Sequence, residues 1–88
     1  MLVLTTVSFN KELSRLRDRK LADRIEKVIN GLENAKSLQQ VTSVKKIKGS
    51  ENAFRIRIGD YRLGFYLIDN TVKLTAFASR KEIYSYFP

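Results

Sequence analysis

The chain has no cysteine and no histidine. Without cysteine there is no disulfide framework and no thiolate nucleophile. Without histidine, the Ser-His-Asp triad, imidazole acid–base chemistry and most metal sites are excluded. Long hydrophobic runs are also missing. Met1-Leu2-Val3-Leu4 passes directly into Thr5-Thr6 with no basic segment before it, so neither a signal peptide nor a membrane span is expected, and the cytoplasm is the expected location. No G-x-x-x-x-G-K or G-x-G-x-x-G phrase occurs, so neither kind of nucleotide site is expected, nor any small-molecule cofactor.

Negative charge is scarce. Asp and Glu total 9 against 17 Lys and Arg, which leaves +8 on 88 residues. A chain of this length supports one core and one domain, residues 1–88. An apolar fraction of 43% argues against disorder. An excess of positive charge serves solubility in itself. It also attracts polyanions, and the placement of the basic residues favours nucleic acid or an acidic protein partner.

The periodicity predicts an α+β domain. Leu2 to Val7 is β-branched and apolar and reads as a strand. Ser8 can cap a helix starting near Phe9, whose Phe9, Leu13 and Leu16 share one face. Asp18 can cap a second helix carrying the stripe Leu21, Ile25, Val28, Ile29 and Leu32, which completes a helical hairpin. Ala35 to Ser43 has no strong period and reads as a loop with room for one helical turn. After Gly49 the period becomes two. Phe54 to Ile58, Tyr61 to Ile68 and Thr71 to Ala78, joined by turns at Gly59-Asp60 and Asp69-Asn70, predict an antiparallel meander. Ser79 to Pro88 reads as a short C-terminal tail.

Alternation in the meander sorts its side chains. Phe54, Ile56, Ile58, Leu63, Phe65 and Leu67 are expected to face Leu13, Leu16, Ile25, Val28 and Ile29 of the helices. Arg55, Arg57 and Arg62 then share the other face with Gly64, which leaves a gap where a ligand could approach the backbone. Arg80 follows the last strand and can close that surface. A solvated sheet face is the plain alternative. Wet faces usually mix signs, however, and like charges placed close together are destabilising. Converging arginines without acidic partners suit phosphate, to which guanidinium makes bidentate contacts. Lys45, Lys46 and Lys48 fit equally a phosphate-contacting rim and a solvated loop. The pairs Asp23/Glu26 and Asp60/Asp69 read as helix-surface and turn residues.

Three phrases together resemble the RelE/ParE superfamily of toxins from toxin–antitoxin systems. They are Val44-Lys45-Lys46-Ile47-Lys48-Gly49, the run Phe54 to Leu63, and Ser79-Arg80-Lys81-Glu82-Ile83-Tyr84. The resemblance spans nearly the whole chain. It implies a RelE-like fold, with an N-terminal strand and a helical hairpin packed on a mainly antiparallel sheet. It also implies a ribosome-dependent mRNA endonuclease of a type II toxin–antitoxin system, with a cognate antitoxin, the ribosome and mRNA as partners. Arg55 and Arg57 match the paired basic positions of the active strand, and Arg62 the phosphate-holding arginine. Arg80 matches the basic residue after the last strand, and Tyr84 the tyrosine that stacks on a base. Lys45, Lys46, Lys48, Lys73 and Lys81 are the expected RNA- or ribosome-binding residues. Two departures stand out. Ser79 occupies a position where many relatives carry His. Arginine also replaces lysine at the paired positions, and arginine is a poor general base. A ParE-like poison of DNA gyrase without nuclease activity, or an inactive homologue that only binds antitoxin, remains the alternative.

Overall fold

The computed structural model describes residues 1–88. In chain order the elements are β1 (Leu2–Thr5), α1 (Val7–Ser14), α2 (Arg19–Asn34), a 3-10 turn (Leu38–Gln40), β2 (Val44–Lys46), β3 (Ala53–Ile58), β4 (Tyr61–Ile68), β5 (Thr71–Ser79) and α3 (Arg80–Tyr86). The five strands form one sheet in the order β1-β5-β4-β3-β2. β1 runs parallel to β5 and every other pairing is antiparallel. The hairpin α1–α2 covers one face. No helix is long and apolar enough to cross a membrane.

The meander lies where period two places it. β4 runs from Tyr61 to Ile68, and the tight turns fall at Gly59-Asp60 and Asp69-Asn70, with positive φ at Gly59, Asp69 and Asn70. Two successive positive-φ residues make the mirror-image turn that matches the twist of a hairpin. α2 begins at its expected cap, where the Asp18 carboxylate accepts the Leu21 N–H at 3.1 Å. α1 differs from expectation. Thr6, not Ser8, is its cap, and its hydroxyl accepts the Phe9 N–H at 3.1 Å. The Thr6 N–H also donates to the Leu74 carbonyl, so the same residue ends the sheet pairing and starts the helix.

The helix-side core holds Phe9, Leu21, Ile25, Leu32, Ile56, Ile58, Leu63, Phe65, Val72, Leu74 and Phe77. Phe54, Leu67, Leu13, Leu16, Val28 and Ile29 pack against it half-buried, and the Phe54 ring stacks on Phe65 at 5.5 Å. Ile25 and Phe65 are 2% and 0% exposed. Truncating either to alanine should cost roughly 2–5 kcal/mol by leaving a cavity. Denaturant unfolding of Ile25→Ala and Phe65→Ala checks this, and a loss near zero in both would mean that this cluster is not the core.

Two features of the fold are not periodic. In β5, Gly64 pairs with Ala76 while Phe65 pairs with Leu74, which leaves Thr75 unpaired as a bulge. The bulge lets Leu74 point into the helix-side core and Ala76 into the other face, although they are two positions apart, a spacing that would otherwise put both on one face. The expected tail is the helix α3. Ser79 caps it: its hydroxyl accepts the Glu82 N–H at 3.3 Å and donates to Glu82 Oε1 at 2.9 Å. The sequence S-x-x-E is that of a capping box, with Glu82 closing on the Ser79 hydroxyl rather than on its N–H, and the cap gives serine a physical role at this position. Ile83 and Phe87 then bury themselves on the sheet face opposite the hairpin, against Ala53 and Ala76.

Candidate functional site

The register of the strands builds the site. Arg57 lies directly across from Arg62, Arg55 across from Gly64, and Lys45 across from Arg55. These residues therefore share the face away from the hairpin. α3 docks over the neighbouring part of that face and brings Tyr84 down beside them. Together Lys45, Arg55, Arg57, Arg62 and Tyr84, with Ser43 and Val44, line a cavity of about 430 Å³. Four of the seven lining residues are cations and none is a carboxylate. Such a wall holds a localised positive potential with no internal counter-charge, which suits a phosphate.

Arg62, Arg55 and Tyr84 are oriented by neighbouring groups. Arg62 is half-buried, and its Nη1 donates to the carbonyls of Gly59 and Tyr61, both at 2.9 Å. The β3–β4 turn thus holds one edge of the guanidinium and leaves the other donors for a ligand. The Arg55 guanidinium lies over the Tyr84 ring, 4.5 Å from its centroid. One face of Tyr84 is therefore already covered, and only the opposite face can receive a base. Hydrogen bonding from Arg80, one helical turn earlier, together with the charges of Arg55, Arg80 and Arg62, lowers the Tyr84 phenol below its ordinary pKa of 10. Arg80 itself is set by its backbone N–H, which donates to the Asp60 carbonyl at 2.9 Å.

The C-terminal end of α3 is held by two contacts. The Phe87 ring packs edge-on against Tyr66 at 5.3 Å. The Tyr86 hydroxyl donates to Glu12 Oε2 at 3.3 Å, and Glu12 Oε1 accepts the Phe77 N–H at 3.5 Å. Glu12 of α1 so meets the β5 backbone beyond the end of β1 and reaches α3 as well. Burial and the Glu12 charge push the Tyr86 phenol up to about 12.

Gly64 departs from the expected gap. The space above it is filled by Phe87, and a Cβ at this position would meet the ring at 2.6–2.9 Å. The ligand cavity lies instead toward Arg57 and Lys45. Of the basic residues expected to hold RNA, Lys45 lines the cavity. Lys46 pairs with Phe54 and so projects to the opposite face, and Lys48 lies just beyond the end of β2. Lys73 pairs with Tyr66, on the cavity face but toward the β1 edge, and Lys81 is exposed on α3. Ser43 is a lining residue that sequence reasoning missed. It has φ +62, and its carbonyl accepts the Arg57 N–H at 3.2 Å, a pairing that no local pattern signals.

Residues 3–84 match the model of a family described as the ParE toxin of type II toxin–antitoxin systems. The chain is 37% identical to Toxin RelE3 of Methanocaldococcus jannaschii, with all of both chains covered. Its fold matches the RelB-RelE antitoxin–toxin complex of Methanococcus jannaschii with a TM-score of 0.81 and 35% identity, covering 97% of this chain and 99% of that one. The archaeal RelE-RelB complex of Pyrococcus horikoshii OT3 matches at a TM-score of 0.74 and 23% identity, over 90% and 93% of the two chains.

Proposed function

This chain belongs to the RelE/ParE family of toxins of type II toxin–antitoxin systems, and from that premise we propose that its arginine cavity cleaves mRNA on the ribosome. One observation carries the reading: Arg55, Arg57, Arg62 and Tyr84 converge on one cavity that no carboxylate lines. In the proposed reaction the 2′-OH attacks the adjacent phosphate. The P–O5′ bond breaks, leaving a cyclic phosphate and a 5′-OH. Arg55, Arg57 and Arg62 stabilise the charge that grows on the phosphoryl oxygens, an effect largest in the transition state. Arg80 stabilises the departing 5′-oxygen, which takes up a proton from solvent to become the 5′-OH. The ribosome positions the RNA for in-line attack.

A proton must leave the 2′-OH. Arginine stays protonated and cannot take it. Tyr84 lines the cavity with a phenol whose pKa is lowered, so its phenolate is the proton acceptor in this scheme. Its uncovered face also remains open to stack on a base. The active form is deprotonated, so single-turnover cleavage should rise with pH and level off at an inflection below 10. Tyr84→Phe should abolish the rising limb. Persistence of that limb in the variant would assign the proton to another group.

The proposed partner is a cognate antitoxin, as in the solved relatives that are complexes with RelB. The groove between α1 and α2, lined by Leu13, Leu16, Ala22, Ile25 and Ile29, offers apolar surface for such a chain to cover. A second reading, poisoning of DNA gyrase, is favoured by the ParE name of the matching family model. Expression in cells separates the two. Arrest of translation with mRNA cut within the reading frame supports the nuclease; gyrase-linked DNA breaks with intact mRNA support the poison.

A further inference from the structure

The arginine cavity is not closed on its β2 side. Ser43 and Arg57 belong also to a neighbouring groove of about 270 Å³. That groove runs from the sheet edge to α2, where Arg24 and Lys27 line it with Thr42. No carboxylate lines it. Arg24 and Lys27 are three residues apart on one helix and so project from the same side. Arg24 is additionally confined, with its Nη1 3.0 Å from where a Cβ on Gly59 would stand. The same turn that orients Arg62 from the cavity side therefore meets Arg24 from the helix side. Solvated helix lysines are common and mean little singly. Here, however, Arg57 forms a wall shared with the phosphate cavity, and the cations on both sides of it carry one sign.

We infer that the RNA path leaves the arginine cavity past Arg57 and Ser43 and continues onto α2, where Arg24 and Lys27 hold the phosphate of a nucleotide flanking the reacting one. The inference rests on the cavity being an RNA site, but not on its being catalytic. The ligand is single-stranded nucleic acid, since Arg24, Lys27 and Arg57 can reach phosphates and no aromatic or amide side chain lines the groove to read a base.

The test uses the full chain and a fluorescent 2′-O-methyl decanucleotide, which cannot be cleaved. Binding is followed by anisotropy over a salt series. Arg24→Ala/Lys27→Ala should bind about tenfold more weakly, with a salt slope smaller by about 1.4, two contacts at roughly 0.7 each for a single strand. Lys11→Ala/Lys36→Ala removes the same charge from exposed sites outside the groove. It should change affinity less than about twofold. Equal losses in the two double variants, or no loss in the first, would overturn the path while leaving the cavity untouched. Absence of binding by the wild type would overturn path and cavity together. Binding as expected without any cleavage of ordinary ribosome-bound mRNA would keep the path and remove the nuclease.

Discussion

Replacing Arg62 by alanine should lower single-turnover cleavage of ribosome-bound mRNA by about 10²–10³-fold, the usual cost of losing one preorganised donor to a developing oxyanion. The expectation follows from how the side chain is held. Its Nη1 is fixed by the Gly59 and Tyr61 carbonyls, so its remaining donors face the cavity without a search through rotamers. Arg62→Lys should recover only part of the rate, because an ammonium cannot hold the turn and a phosphate as a planar fork does. The fold should survive. The two lost hydrogen bonds come from a charged donor at a partly exposed turn and are worth roughly 1.5 kcal/mol each, the low end for charged groups, against a core on the opposite face that is unaffected. Ribosome association should weaken less than cleavage, since many of the basic residues share in binding. Thermal melts beside the cleavage assay check the two halves. Equal rates from two well-folded proteins would remove Arg62 from the reaction.

A comparably large loss should come from a residue that touches no substrate. At Gly64 any side chain collides with the Phe87 ring at 2.6–2.9 Å, well inside contact distance. Gly64→Val should therefore expel Phe87 and undock α3 from Ala53 and Ala76. Arg80 and Tyr84 would leave with it, and misplacement of about 1 Å already costs on the order of 10²-fold in rate. Leu63 and Phe65, pointing to the helix side, keep the main core intact. Faster proteolysis at the C-terminus, with little change in the main unfolding transition, identifies the mechanism. Phe87→Ala should reproduce the loss of rate. In that background Gly64→Ala should add little, because the two changes share one contact. Full activity in Gly64→Val would mean that α3 does not position the site.

The contrast between Arg62 and Gly64 shows what was legible in the sequence. Arg55, Arg57 and Arg62 could be placed on one face by counting in twos, because β3 and β4 pair without a bulge between them. The helix-side core was legible for the same reason, and the Asp18 cap because a cap is local chemistry. Gly64 reads as open space because nothing local says that the chain returns. The residue that fills it, Phe87, arrives from a helix whose burial depends on a floor of small residues on two other strands. The Thr75 bulge, the parallel docking of β1 and the Ser43–Arg57 pairing are likewise settled by tertiary contacts. Ser79 shows the reverse case. Set against a family pattern it is a departure, whereas Ser79-Arg80-Lys81-Glu82 read as a capping box predicts the helix that forms.

End-mapping of mRNA after incubation of the purified chain with programmed ribosomes tests directly whether the arginine cavity cleaves RNA. A ribosome-dependent nuclease should give cuts within the decoding site that leave a cyclic phosphate and a 5′-OH, absent with naked mRNA and lost in Arg55→Ala/Arg57→Ala/Arg62→Ala. Intact mRNA on those ribosomes, with the same preparation trapping DNA gyrase on cleaved DNA, would contradict it.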